Sequence, residues 1–289
     1  MKKIIEVKNI SKKIGKKEIL KNISFDGYEG DIIGIVGNNG VGKTTLLKVL
    51  TGLYKPNTGE IIFDGINLNN NYEKAISKVG SLIETPDLYK HLTGRQNLDI
   101  FKRMFKGVDE ETIKNIVSLI HIEDALGSKF KTYSLGMKER LGIAQTLIND
   151  PKIIILDEPT NGLDPRGIIE LRNILENLKD KVVLISSHML SEIEVLCNKV
   201  IILNNGRIVN IKEKNIKKKK IFFEVDDYSK AKLLLKDFEL GEELTLYAED
   251  ETISNVNKIL VNNNIKVYRI MESNSIENDF LQYTGEKDD

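Results

Sequence analysis

Apolar and polar positions change rhythm several times along this chain, and each change marks an element. Ile4 to Val7 and Ile19 to Phe25 read as short strands around a Lys-Gly turn, and Ile61-Ile62-Phe63 as another strand that ends at Asp64-Gly65. Ile32 to Val36 is a further apolar run, followed after a glycine-rich stretch by a helix-like run from Thr45 to Leu50. From Asn97 to about Ile122 the residues Leu98, Phe101, Phe105, Ile113, Ile116, Val117 and Ile120 recur at helical spacing. Ile153 to Leu156 and Val182 to Ile185 are short, wholly apolar and rich in β-branched residues, which suits strands covered on both faces of a parallel sheet. Strand and helix signals alternate around them. The first 210 or so residues therefore predict an α/β core with a helical insertion at about 85–150.

Lysines cluster between Lys212 and Lys220, and the shift in composition reads as a solvated linker or exposed edge, in preference to an anionic-membrane contact, between domains 1–212 and 213–289. Beyond it the pattern restarts. Ile221 to Val225 reads as a strand, Lys230 to Leu235 as a helix and Leu244 to Tyr247 as a strand. A helix from Ile253 to Leu260 and a strand from Ile265 to Ile270 follow. This order predicts a small C-terminal α+β module, ferredoxin-like if Phe238 to Leu240 is a strand as well.

A length of 289 residues accommodates one large domain and a small one. Lys+Arg and Asp+Glu balance at 43 each, so charge gives no case for nucleic acid as a partner. The single cysteine, Cys197, has no partner for an intramolecular disulfide, and no signal-peptide pattern follows Met1; both point to a reducing, intracellular setting. No apolar stretch approaches the roughly 20 residues that cross a bilayer, so any membrane span must come from another chain.

The chemistry concentrates between the strand and helix runs around residue 40. Gly37, Asn38, Asn39, Gly40, Val41, Gly42, Lys43 and Thr44 form a complete phosphate-binding loop, and Thr45 opens the helix behind it. Glycines let successive N–H groups turn inward around phosphates, and the helix presents its positive end to the same point. Lys43 supplies charge toward the β- and γ-phosphates, and Thr44 a hydroxyl for Mg²⁺. The loop implies a nucleoside triphosphate. Downstream, the strand at Ile153 delivers Asp157 and Glu158 at its carboxyl end, where ligands bind in open parallel sheets. Asp157 suits Mg²⁺ as a hard oxygen donor, and Glu158 suits the base that deprotonates the attacking water. Val182 to Ile185 runs into Ser186-Ser187-His188, which places His188 beside that strand end, whereas His91 and His121 have no such placement. Tyr133-Ser134-Leu135-Gly136-Met137 opens another helix, giving a second phosphate-directed N-terminus at Ser134 and Gly136.

Taken together, residues 1 to about 210 resemble the nucleotide-binding subunit of an ABC transporter. Residues 37–44 match its Walker A loop, 153–158 its Walker B strand, 133–137 its signature motif and 161–164, with Asp164, its D-loop; His188 matches its switch histidine. The resemblance implies a phosphate-loop core with an antiparallel β subdomain and a helical subdomain. It also implies a head-to-tail homodimer with each ATP between one Walker A loop and the partner's signature, so that Ser134 and Gly136 serve the neighbour's nucleotide. Separate polytopic membrane subunits, and a peripheral place at the cytoplasmic face of the membrane, follow from the same likeness.

The chain departs from the family pattern at three points. Leu135 and Met137 stand where the signature has a glycine and a glutamine. Ile14 stands where an aromatic stacks on adenine, leaving only apolar contact. Glu84 replaces the Q-loop glutamine; a glutamate only accepts hydrogen bonds, which implies a tighter hold on Mg²⁺ and a different orientation of the attacking water. Glu84, the stretch Tyr89 to Leu98 and Tyr-Ser-Leu-Gly-Met resemble the ATPases of bacitracin-resistance and lantibiotic self-protection transporters, and Ser275 to Leu281 resembles the tail of that exporter class. The expected function is ATP hydrolysis that powers removal of a peptide antibiotic from the membrane. An exporter of a lipid, drug or cell-wall precursor is the alternative, and a non-transport ABC ATPase a more distant one.

Overall fold

In the computed structural model, residues 2–213, 219–236, 238, 240–241 and 244–272 are described. They form two compact units, Met1–Lys212 and Glu213–Asp289.

The first unit begins with two long strands, β1 (Lys3–Ile14) and β2 (Lys17–Tyr28). They outrun the apolar segments on either side of the turn because bulges absorb the polar residues: register slips between Val7 and Ile10, where Asn9 adopts φ 52°. β3 (Ile32–Val36) leads into α1 (Lys43–Leu50). β4 (Thr58–Phe63) and β5 (Ile66–Asn67) complete a sheet ordered β2-β1-β4-β5, antiparallel throughout. A short α2 (Tyr72–Ile76) precedes β6 (Val79–Leu82).

The helical insertion holds α3 (Gly94–Met104), α4 (Glu110–Ile120) and α5 (Leu135–Leu147). The helical spacing from Asn97 to Ile122 is thus shared by two helices. Gly107, at φ 85°, turns the chain between them, and the Asp109 side chain caps the restart by accepting from Thr112 N–H at 2.8 Å. α4 buries Ile113, Ile116, Val117 and Ile120, whereas α3 buries Leu98 and half-buries Phe101, so the apolar spacing carries across the break although the two faces are not equally covered.

β7 (Ile153–Asp157), α6 (Pro165–Glu176), β8 (Val182–Ser187), α7 (Leu190–Leu196), β9 (Lys199–Asn204) and β10 (Arg207–Glu213) complete the unit. The second sheet runs β10-β9-β3-β8-β7-β6. β3 pairs in parallel with β8 and β9, and β7 with β6 and β8. β7 and β8 are buried along their whole length, as their uninterrupted apolar runs require. One core joins the two sheets across α1, whose Leu46, Leu47, Val49 and Leu50 are buried among Ile5, Phe63, Ile35, Ile155 and Leu184. Each such leucine is worth about 1.5–3 kcal/mol of burial, so α1 and the loop before it are firmly seated.

The second unit contains β11 (Lys219–Val225), α8 (Tyr228–Leu234), β12 (Thr245–Ala248), α9 (Asp250–Asn262) and β13 (Val267–Glu272). Its sheet runs β12-β11-β13, antiparallel, over a core that includes Phe223, Leu246, Val256 and Leu260. Of the conditional extra strand at 238–240, residue 239 lies outside the described residues, and Leu240 makes an isolated bridge to Leu246. Within the lysine-rich stretch, Lys212 belongs to β10 and Lys219 and Lys220 to β11; 214–218, and Ser275 to Leu281, lie outside the described residues.

Candidate functional site

β3, β8 and β7 are neighbours and parallel, so their carboxyl ends meet at one edge: Val36 pairs with Ser187, and Asp157 with Ser186. The loop after β3 must fold tightly there. A Cβ on Gly37 would lie 2.2 Å from the Leu203 carbonyl oxygen, and Gly42 holds φ 115° as N-cap of α1. Among the described residues no side chain caps α1, which leaves its first-turn N–H groups available to an anion. Gly206 N–H donates to the Val41 carbonyl at 3.1 Å and ties the loop to the turn after β9. Lys43 is buried, and its ammonium donates to the Gly37 carbonyl at 2.7 Å while standing 3.5 Å from Glu158 Oε1. Thr44 and Thr45 occupy the same first turn and are partly exposed; Asn38, Asn39 and Gly40 form the outer rim.

Asp157 is buried at the end of β7 and accepts from Ser186 Oγ at 2.5 Å. The same Ser186 hydroxyl receives Glu158 N–H at 2.9 Å, so one serine holds both acidic residues. Glu158 itself adopts φ 50°, in the left-handed region that costs a non-glycine residue about 1–2 kcal/mol. Its Oε2 accepts from His188 Nδ1–H at 2.7 Å. With Nδ1 as the donor, a neutral His188 ring offers Nε2 as its second polar atom. The structure therefore assembles Lys43, Glu158 and His188 into one chain of contacts, with Asp157 and Thr44 adjacent in the framework.

The remaining sequence-derived residues fall at other places. Ser134 caps α5, accepting from Met137 N–H at 3.3 Å, and Asp164 caps α6, accepting from Gly167 N–H at 2.8 Å. These two turns touch: Leu135 packs on Gly162, and Leu163 on Gly136. Among the described residues neither Ser134 nor Gly136 hydrogen-bonds to the phosphate loop, Glu158 or His188. Ile14 is 46% exposed at the tip of β1. Glu84 follows β6 with φ 65°, and its Oε1 accepts from Lys48 Nζ of α1 at 2.9 Å rather than joining the cluster around Glu158. That hydrogen bond holds the Lys48 ammonium above the ordinary lysine range, helped by the charges of Glu84 and, more weakly, Asp157.

Reading the sequence missed Ser186 as the anchor of Asp157 and Glu158, and Lys48 as the partner of Glu84. The serine pair directly before His188 was the available signal for the first. Nothing in the spacing signals the second, whose members are 36 residues apart. Glu139, buried on α5, was also missed; burial pushes its carboxyl up to about 7.

A loop and a strand-end carboxylate of this kind, on a parallel sheet faced by a second antiparallel one, define a nucleotide-hydrolysing cassette. The family model described as ABC transporter matches residues 20–161. The ABC transporter ATP-binding protein YhcH of Bacillus subtilis (strain 168) is 41% identical, over 99% of this chain and 97% of its own. The bacitracin transport ATP-binding protein BcrA of Bacillus licheniformis is 34% identical over 99% of this chain and 98% of its own. The lantibiotic transport ATP-binding protein SrtF of Streptococcus pyogenes is 42% identical over 73% of this chain and 91% of its own. Among solved structures, cbiO1 of Clostridium perfringens, part of the transporter complex cbiONQ, superimposes with a TM-score of 0.68 at 26% identity, over 74% of this chain and 90% of that one. The cassette MJ0796, a dimer in a post-hydrolysis state bound to ADP and Pi, does so with a TM-score of 0.64 at 25% identity, over 73% and 99%. The chain belongs to the ATP-binding proteins of ABC transporters. It binds nucleotide and hydrolyses ATP for transport, and among its described residues no helix is long and apolar enough to cross a membrane.

Proposed function

We propose that this chain powers an ABC exporter that removes a peptide antibiotic, of the bacitracin or lantibiotic class, from the cell membrane. The observation that carries the hydrolytic part is the placement of Glu158 between the Lys43 ammonium and the His188 ring at the joined ends of β3, β7 and β8. The antibiotic is supported by the names of BcrA and SrtF, and by Glu84 with the stretch after it.

In this reading the first-turn N–H groups of α1 and Lys43 bind the β- and γ-phosphates of ATP, and Ile14 gives the base apolar contact. Glu158 takes the proton of the attacking water, and His188 orients the γ-phosphate. Thr44 and the Asp157 carboxylate fit Mg²⁺, since a hydroxyl and one carboxylate beside phosphate oxygens are the hard donor set that it takes. When bound, Mg²⁺ neutralises charge on the phosphates. Glu84 reaches the metal-bound end of the site once it leaves Lys48. Ser134, Gly136 and Asp164 face the partner's nucleotide in a homodimer, which explains why Ser134 and Gly136 stand apart from Lys43 within one subunit. The dimer sits at the cytoplasmic face of the membrane on separate polytopic subunits.

Cells that express the chain with its membrane subunits test the reading. Lys43→Ala should reduce resistance to bacitracin-class or lantibiotic peptides to that of cells lacking the chain. Undiminished resistance in the Lys43→Ala strain contradicts the proposal.

A further inference from the structure

The register pairing of β7 with β8 ends at Asp157 and Ser186, with one further backbone hydrogen bond from Glu158 N–H to the Ser186 carbonyl at 3.2 Å. His188 and the Glu158 side chain lie beyond it, so sheet pairing holds the Glu158 backbone but does not fix the 2.7 Å side-chain contact between them. A second link does form past the sheet edge. Glu192, on the first turn of α7, accepts at one oxygen, Oε2, from two hydroxyls: Thr160 Oγ1 at 2.5 Å and Ser187 Oγ at 2.8 Å. Thr160 is two residues past Glu158, and Ser187 directly precedes His188. Ser187 Oγ also receives Met189 N–H at 3.0 Å, so the turn that carries His188 is pinned on both sides. Thr160 and Ser187 are 3% and 1% exposed, which shields both hydrogen bonds from water. Among the described residues no Lys, Arg or His forms an ion pair with Glu192, so the hydroxyls are what its carboxylate holds. α7 is itself immobilised, because Ile193 is fully buried against β3 at Gly34.

We propose that Glu192 is a positioning residue for hydrolysis. Its carboxylate clasps the turn after β7 to the end of β8 and thereby sets Glu158 against His188. The inference rests on the roles given to those two residues above. The clasp needs an acceptor oxygen, not a charge, because both donors are neutral hydroxyls. It touches no group that binds ATP, so its loss acts on turnover and not on affinity.

Steady-state kinetics of the purified ATPase, corrected for folded fraction by melting curves, provide the test, with Glu158→Gln run alongside. Glu192→Ala should lower kcat by about 10–100-fold and change KM by less than about 2-fold. Glu192→Gln, which keeps the acceptor oxygen, should restore kcat to within about 3-fold of the parent. Thr160→Val, isosteric but without the hydroxyl, should lower kcat by about 3–10-fold, and adding it to Glu192→Ala should cause no further loss. Parental kcat in Thr160→Val overturns the clasp even if Glu192→Ala fails to fold. Multiplicative losses in the double variant, or equal damage from Gln and Ala at 192, overturn it too. Inactive Glu158→Gln beside a fully active Glu192→Ala refutes the clasp alone, whereas active Glu158→Gln refutes the reading on which it rests.

Discussion

Glu84 and Glu158 share a side chain and a left-handed backbone, yet their surroundings give them different work. Glu158 meets Lys43 and His188, while Glu84 is 68% exposed and among the described residues pairs with Lys48. An exposed ion pair contributes little to stability, so Glu84→Gln should shift the melting temperature by no more than about 2 °C. The amide oxygen of glutamine still accepts from Lys48, and hydrolysis keeps Glu158 and His188. ATPase rates of the purified variant should therefore stay within about 3-fold of the parent, while antibiotic protection in cells with the membrane subunits falls further. Equal protection by parent and variant would show that the glutamate has no part in coupling. The residues of this site were legible where chemistry sits in contiguous blocks, as at Gly37 to Thr44 or Asp157-Glu158. They were illegible where a hydroxyl or an ammonium reaches across the fold. Ser186 to Asp157, Thr160 to Glu192 and Lys48 to Glu84 span 29, 32 and 36 residues, with common residue types at both ends.

Among the elements, β7 and β8 were the easiest to read, because burial on both faces leaves no polar position to confuse the pattern. β1 and β2 were read too short: an antiparallel strand with one open face admits polar residues, and bulges at Asn9 are invisible to alternation. Leu240, in the stretch that would complete a ferredoxin-like order, forms a bridge to Leu246. Helix α5 was found by its apolar spacing, but it also buries Glu139, which that spacing does not register. The Glu139 carboxyl is raised by burial from 4.5 to about 7. Between those pH values the folded chain keeps a proton that the unfolded chain releases, so this group lowers stability as pH rises from about 4.5 to about 7 and holds a constant penalty above. Glu139→Gln should remove that slope. Denaturant midpoints should place it above the parent at pH 8, by at most roughly 3 kcal/mol, and nearer to it at acidic pH. Parallel pH profiles for the two proteins would show that the helix does not penalise the charge.

At the scale of the whole molecule, a two-sheet ATPase unit precedes a smaller α+β unit. The first was legible from the order of its motifs, and the second only from the restart of its strand and helix pattern after the lysines. All of the site described above lies in the first unit, and the function proposed for the chain turns on one proton transfer to Glu158 there. Phosphate release by the purified Glu158→Gln protein, measured at saturating Mg-ATP, tests this most directly. Glutamine keeps the shape and the hydrogen bond from His188 but cannot take a proton from water, so turnover should fall by about 100-fold or more while ATP still binds. Parental turnover in that variant would contradict the account.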